Sequence, residues 1–304
     1  MPITTGSLTK ALWPGVNAFY GESYNAWPTE WTKLFDVQKS SKAFEEDVGV
    51  SGFGLAVEKS EGAGVSYDDA RQSYITRYVN RTFCLGFIIT EEAVEDNQYN
   101  LAVLGRRDAK ALAFSMQQTW EVLGANVYNR AFNSSYTFGD GKELCATDHP
   151  LYAGGTFANE LAVSADLSEA SLEQACIDIA GFVNDRGLKI SIMPKSLIIS
   201  KENMFEATRI LKSQLQSDTA YNNINALRSM GMFPGGVDVN HYLTDTDAWF
   251  IRTNAPEGMK YFDRVGTEFK PDNDFDTGNA KFKARRRGSF GNTDPRAIFG
   301  SPGS

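Results

Sequence analysis

The chain has 304 residues, enough for one large domain or two of roughly 150 each, and a composition of 42% hydrophobic and 22% charged residues excludes a disordered or collagen-like chain. Thirty basic against 38 acidic residues give a formal charge of −8, which argues against a general polyanion-binding surface. No stretch approaches the roughly 18 to 20 consecutive apolar residues of a membrane helix, and residues 1–5 lack the charged and apolar regions of a signal peptide, so an aqueous compartment without membrane contact is expected.

Residues 1–45 carry an aromatic load of Trp13, Phe19, Tyr20, Tyr24, Trp27, Trp31 and Phe35. Tyr20, Tyr24, Trp27 and Trp31 have the spacing of one helix face, although Pro28 must start a new helix or kink the old one. Taken alone, the segment reads as a pair of core helices; the alternative is an arm whose apolar side packs on a neighbouring molecule. From residue 43 to 89 the pattern becomes strand, turn, strand. Residues 58–69 are polar and glycine-containing, as a hairpin tip should be. Beyond them Ile75, Arg77, Val79, Arg81, Phe83, Leu85, Phe87 and Ile89 share one face, and Tyr74, Thr76, Tyr78, Asn80, Thr82 and Cys84 the other. A continuous strand of about 17 residues would run roughly 55 Å. Its outer half, with arginines on one face and polar or tyrosyl groups on the other, suits a protruding arm better than a dry core.

Thr90-Glu91-Glu92-Ala93-Val94-Glu95-Asp96 predicts a helix start, with Thr90 as cap and the acids at the positive end of the helix dipole. Residues 100–131 predict a long helix with Leu101, Leu104, Leu112, Met116, Trp120, Leu123 and Val127 on one stripe. About 32 residues give a rod near 48 Å, close to the diameter of about 50 Å of a compact globule of this length. The remainder reads as α+β. A helix is expected over 168–183, with Leu172, Cys176, Ile179 and Val183 inward, then a strand over 189–200 interrupted by Pro194, and a helix over 202–212. A strand pair is expected over 237–242 and 248–253 around Thr244-Asp245-Thr246-Asp247, followed by strands over 261–270 and 281–287.

Histidine is the usual base near neutral pH and the commonest metal ligand, and the chain has only two. Asp148-His149-Pro150, with Cys145 four residues earlier, offers a nucleophile and base or half a metal site, but no second cysteine or histidine lies nearby and a structural loop histidine is the better reading. His241, in a strand-like run, reads the same way. Cys84, Cys145 and Cys176 are odd in number and widely spaced, which suggests reduced structural thiols. Residues 272–278 resemble the start of a calcium loop, yet the glycine falls one place late and Lys283 stands where a bidentate Glu is required; a solvated acidic turn is expected. Gly52 and Gly54 lack the third glycine of a phosphate loop. Arg285-Arg286-Arg287 is the only dense basic run, and alternation on a strand would split it between two faces and toward acidic partners within or between subunits. No catalytic residues, metal site or cofactor are therefore expected.

The order of elements (aromatic arm, long hairpin, short acidic helix, long helix, α+β remainder) resembles the HK97-fold major capsid proteins of tailed bacteriophages, and within them the Mu-like major head subunits. Residues 86–96 leading into the long helix, 144–151 followed by Gly154-Gly155-Thr156, 194–200 before a helix, and 222–227 carry the likeness, which covers most of the chain from about residue 40. It implies an N-terminal arm over 1–42, an extended hairpin loop over 43–89 lying on an adjacent subunit, and a peripheral domain with spine helix over 90–159. An axial domain would occupy 160–255, and C-terminal strands over 256–304 would return to the peripheral domain.

On this reading the protein self-assembles into pentamers and hexamers of an icosahedral shell around double-stranded DNA, contacted non-specifically, in the virion after assembly in the host cytoplasm. The −8 charge would limit adhesion of the packaged DNA to the wall. Expected contacts between subunits involve Trp13, Trp27, Trp31, Glu58, Lys59, Glu61, Arg71, Arg77, Arg81, Arg285, Arg286 and Arg287. A separate scaffolding protein or a removed segment, a portal and a cementing protein are the implied partners. Some members of the family join a lysine to an asparagine; Lys59 with Asn279 or Asn292 has no supporting motif, and no cross-link is expected. The rival readings are a cellular nanocompartment shell of the same fold and a hydrolase using Cys145 and His149.

Overall fold

The computed structural model describes residues 20, 24, 27–92, 101–216, 223–274 and 276–304. In chain order these form α1 (Trp31–Leu34), β1 (Asp36–Lys39), β2 (Phe44–Ser51), β3 (Arg71–Val79), β4 (Arg81–Ile89) and α2 (Leu101–Asn129). There follow β5 (His149–Pro150), β6 (Thr156–Phe157), α3 (Glu169–Ala180), β7 (Pro194–Ser200), α4 (Met204–Lys212), α5 (Ala226–Met230), β8 (Val237–Asn240) and β9 (Trp249–Thr253). The chain closes with β10 (Met259–Asn273), β11 (Ala280–Asn292), a 3-10 turn (Pro295–Ala297) and β12 (Ile298–Ser301).

The 29 residues of α2 make a rod of about 43 Å. Its buried stripe of Leu112, Met116 and Trp120 lies over a four-stranded sheet of order β1-β10-β11-β4, antiparallel except for the parallel pair β1 and β10. Toward one end Leu112, Ala113 and Met116 pack with Tyr20, Phe282 and Ala284. Toward the other, Trp120 and Tyr128 enclose Trp31, Phe35 and Tyr261. Gly124 lets α1 approach closely, since a Cβ there would stand 3.0 Å from that of Trp31. Glu121, buried under this contact, accepts the backbone N–H of Glu30 (3.0 Å) and Trp31 (2.9 Å), two of the donors that a helix start leaves without partners.

The second sheet has the order β12-β9-β7-β8 and is buried on both faces. Period-2 alternation sends Leu197, Ile199, Trp249, Ile251 and Phe299 toward α3 and α4, and Ile198, Phe250 and Ile298 toward the end of α2. Ser168 caps α3 in a reciprocal pair with Ser171, which fixes where that helix starts.

Four expectations need correction. The strand over 73–89 is two strands: the N–H of Asn80 goes to the Ala43 carbonyl (3.2 Å) and its side-chain amide to Ser40 Oγ (2.8 Å) and the Lys42 carbonyl (3.0 Å). That corner hands the chain from the β2–β3 hairpin to the large sheet. Pro194 begins β7 rather than interrupting it, because a proline lacks only the donor that a first strand residue can do without. β8 and β9 are not partners; both flank β7, the first parallel and the second antiparallel. The C-terminal residues do not all rejoin the large sheet, since β12 pairs with β9. Within the stretch expected as the N-terminal arm, β1 is an edge strand of the large sheet. Glu91 and Glu92 are helical, and residues 93–96 of the expected acidic helix lie outside the described residues.

Candidate interaction surface

The hairpin β2–β3 is tied to the body and leaves its distal loop exposed. Its pairing runs from Phe44 opposite Val79 to Ser51 opposite Arg71. At the base Lys260, buried, meets Asp47 (2.5 Å) and Glu257, while Thr293 Oγ1 donates to Asp47 (2.9 Å) and shares a 2.6 Å hydrogen bond with the Tyr78 hydroxyl. Midway the 136–139 loop leans on β3, where a Cβ at Gly139 would stand 2.4 Å from Thr76 Oγ1. Beyond Ser51 the chain runs without regular structure to Arg71.

This distal loop exposes apolar side chains without a partner surface among the described residues. Phe53, Leu55 and Val57 alternate along it, Leu55 at 79% exposure, and Tyr67 is 93% exposed. Such a row is unusual on a soluble surface unless something covers it. On β3 Thr76 and Tyr78 turn inward, whereas Ile75, Arg77 and Val79 overhang a cleft of about 730 Å³. Phe83, Leu123, Val127 and Phe138 floor this cleft, and Arg77, Arg81 and Arg130 line it. Arg130 lies 4.3 Å over the Tyr136 ring.

Glu58, Lys59, Glu61, Arg71, Arg77 and Arg81 are all exposed on the hairpin or at its root. Arg77 reaches Glu46 (3.5 Å) and lies 3.8 Å over the Phe44 ring of its own hairpin. Trp27, 58% exposed, packs edge-on against Phe114. Trp31, at 5% exposure, is held between Tyr261 and Phe290, so the expectation that it faces a neighbour is corrected: its indole serves this chain's own core. The arginine run splits on β11 as alternation requires. Arg285 points outward to Glu268 (3.0 Å) and Arg287 donates to the Asn80 carbonyl (3.3 Å). Arg286 points inward, lies 4.7 Å over the Trp120 ring and donates to the Tyr24 hydroxyl (2.8 Å), so it too is corrected to an intramolecular role. Trp13 lies outside the described residues.

The Cys145 and His149 reading fails on geometry. Cys145 is buried, and burial pushes its thiol well above the usual range, the opposite of what a nucleophilic thiolate needs. Cys176 is likewise pushed up to about 11 by burial. His149 is buried, with Nδ1 2.6 Å from Asp140 Oδ2 and Nε2 3.0 Å from Asn159 Oδ1. Asn159 is oriented by donating to the Leu144 (2.8 Å) and Pro295 (2.9 Å) carbonyls, and its Oδ1 also accepts the Ala146 N–H (2.8 Å). The histidine is a strut joining Asp140 of the preceding loop to Asn159, which in turn reaches the C-terminal segment at Pro295. The acidic turn is the tip of the β10–β11 hairpin, closed by the Gly278 N–H to the Asp274 carbonyl (2.9 Å) and by Asp274 with Lys281 (2.6 Å). Among the described residues no group of His, Cys, Asp or Glu side chains is placed to hold a metal ion.

A further polar group was not legible in the sequence. Arg186, in the loop after α3, donates to the Gly52 carbonyl, Asp68 and the Asp69 carbonyl, binding the neck of the distal loop. Nothing about an isolated Asp-Arg-Gly turn announces a partner more than a hundred residues away.

A family model described as phage capsid protein matches residues 78–300. No curated protein matches the sequence. Among solved structures the chain is similar to a virus-like particle from Pyrococcus furiosus, at TM-score 0.53 and 10% identity over 95% of this chain and 98% of that one. It is also similar to the procapsid of bacteriophage JBD30, at 0.52 and 14% identity over 98% and 76% of the two chains. The capsid of Myoviridae phage XM1 aligns at 0.52 and 11% identity over 92% and 95%. These likenesses support the HK97-like α+β fold expected from the sequence.

Proposed function

Because the chain belongs to the phage capsid protein family, we propose that it is a major capsid protein, a structural subunit that associates with copies of itself into a phage shell and forms part of the virion. The observation that carries the assembly reading is the distal loop 52–70, whose alternating apolar residues have no cover among the described residues. In a shell they would lie on a neighbour. The cleft beside β3 is a complementary receiver: its floor is apolar, and Arg81 and Arg130 would meet a tip that carries Glu58 and Glu61. Each such contact is modest, and a closed lattice sums many of them.

The finer account follows the family. Subunits form pentamers and hexamers of an icosahedral shell around double-stranded DNA, touched without sequence readout, and assemble in the host cytoplasm with a scaffolding protein, a portal and a cementing protein. The large sheet with α2 is the peripheral body, and the sheet β12-β9-β7-β8 with α3 and α4 gathers around the symmetry axes. Within the family the Mu-like head subunits remain the nearest reading. No catalysis is assigned, and no covalent link between subunits.

Sedimentation tests this. Expressed with and without a scaffolding protein, the chain is expected to yield particles far heavier than a single subunit. Replacing residues 55–67 by a short Gly-Ser linker is expected to return it to small species with an unchanged circular dichroism spectrum. A chain that stays monomeric under every condition, scaffold included, would falsify the shell function.

A further inference from the structure

The base of the hairpin and the neck of its loop are anchored to different sheets. At the base Asp47 and Tyr78 are tied to Lys260 and Thr293 at the large sheet. At the neck one guanidinium gathers both arms: Arg186 Nε donates to the Gly52 carbonyl (3.1 Å), and Nη2 to Asp68 Oδ1 (2.9 Å) and the Asp69 carbonyl (2.7 Å). The arms are also joined directly, since the Gly54 N–H donates to Asp68 Oδ2 (2.7 Å) and Ser51 Oγ exchanges hydrogen bonds with the Arg71 backbone. The planar fork of the arginine turns its N–H groups to all three acceptors at once.

The platform that presents Arg186 is itself fixed. Asn184 Oδ1 accepts the N–H of Arg186 and Leu188, both at 2.9 Å, and Gly187 turns with φ +77°, a conformation that favours glycine. Behind the turn the buried Arg296 holds Asp185 (2.7 Å) and the Val183 carbonyl (2.6 Å), and the Ala153 N–H donates to the Asp185 carbonyl (3.0 Å). A rigid turn on the body of the second sheet thus grips a loop whose tip, from Leu55 to Tyr67, is left exposed.

Resting on the shell reading, we infer that Arg186 is a positioning residue for assembly: it sets the direction of the distal loop in the free subunit before a neighbour is met. A loop held at base and neck loses less conformational freedom on docking than one held at the base alone. Its angle to both sheets is preset, and with it the angle between neighbouring subunits.

Two measurements on the full chain test this: limited proteolysis of unassembled wild-type, Arg186→Ala and Arg186→Lys subunits, and the diameters of shells formed with scaffold. Arg186→Ala is expected to be cut within residues 53–69 at least tenfold faster than wild type, with cutting elsewhere and the thermal midpoint unchanged, and to give shells of scattered diameter. Arg186→Lys, which keeps the charge toward Asp68 but cannot span both carbonyls, is expected to fall between. Equal cutting of wild type and Arg186→Ala overturns the clamp. Faster cutting with shells as uniform as wild type overturns its role in assembly. If wild type forms no shells, the shell reading fails while the proteolysis comparison still decides whether Arg186 holds the loop.

Discussion

Both ring nitrogens of His149 face oxygen acceptors, Asp140 Oδ2 and an Asn159 Oδ1 whose orientation is fixed by its own two donor bonds. Removing the ring leaves the Asp140 carboxyl and the Asn159 amide short of a buried hydrogen-bond partner, a loss of about 1–3 kcal/mol for each group left unsatisfied. His149→Ala is therefore expected to lower the denaturant midpoint sharply, and an unchanged midpoint would remove the strut from the account. Glu121 gives a second case. Its carboxyl, pushed above the usual range by burial, accepts two N–H groups at the start of α1. Glu121→Ala is expected to cost about 1–3 kcal/mol in equilibrium unfolding, from leaving buried donors without acceptors. At this scale the sequence was a partial guide. That His149 is structural followed from its isolation among possible ligands, whereas Asp140 and Asn159 as its partners depended on how two loops close. Trp31 was named as a contact on the alternative of an outward-packing arm, although its helix-face spacing alone reads as core, and Arg286 as part of a basic run with acidic partners within or between subunits; the burial of both around Trp120 follows the core reading of the one and the alternation of the other.

Among elements, those whose pattern is local were legible. The stripe from Leu112 to Val127 marked α2, and Ser168 marked the start of α3. Strand partners were not, because pairing is set by contacts distant in sequence: β8 and β9 looked like a hairpin and are instead separated by β7. The break at Asn80 was hidden for the same reason, since the alternation of residues continues through it while the pairing changes sheets. Gly139→Ala would drive a methyl group into Thr76 Oγ1 and the Ile75 carbonyl. The hairpin is expected to shift, with faster amide exchange along β3 and little change in β7. Acid acts on the loop neck. The Gly54 N–H first, then Arg186, hold the Asp68 carboxyl below the usual carboxylate range. A carboxyl depressed in the folded state contributes above its unfolded value of about 3.8 and loses that contribution as pH falls through the depressed one. Protection of the Gly54 and Asp69 amides, corrected for intrinsic exchange, is expected to hold at pH 6 and to fall on acidification below about 3.8; protection independent of pH would contradict the geometry of the neck.

For the whole molecule, two sheets with filled cores account for folding, and the exposed row on the distal loop is the surface that the proposed association would use. The two are separable. Charge reversal at the cleft, Arg81→Glu with Arg130→Glu, is expected to leave the unfolding midpoint nearly unchanged and to raise the subunit concentration needed for assembly several-fold, since each exposed contact contributes about 0.2–1 kcal/mol and recurs around the lattice. Added salt is expected to act in the same direction on wild type. The likeness in order of elements reached the fold and the shell from sequence; the cleft beside β3 and the hydrogen bonds of Arg186 required the structure. Electron cryomicroscopy of particles formed by the full chain with a scaffolding protein tests the central claim most directly. The expected map is a closed shell in which residues 55–67 of each subunit lie in the cleft beside β3 of a neighbour. Particles that never close, or a closed shell in which those residues project into solvent, would contradict it.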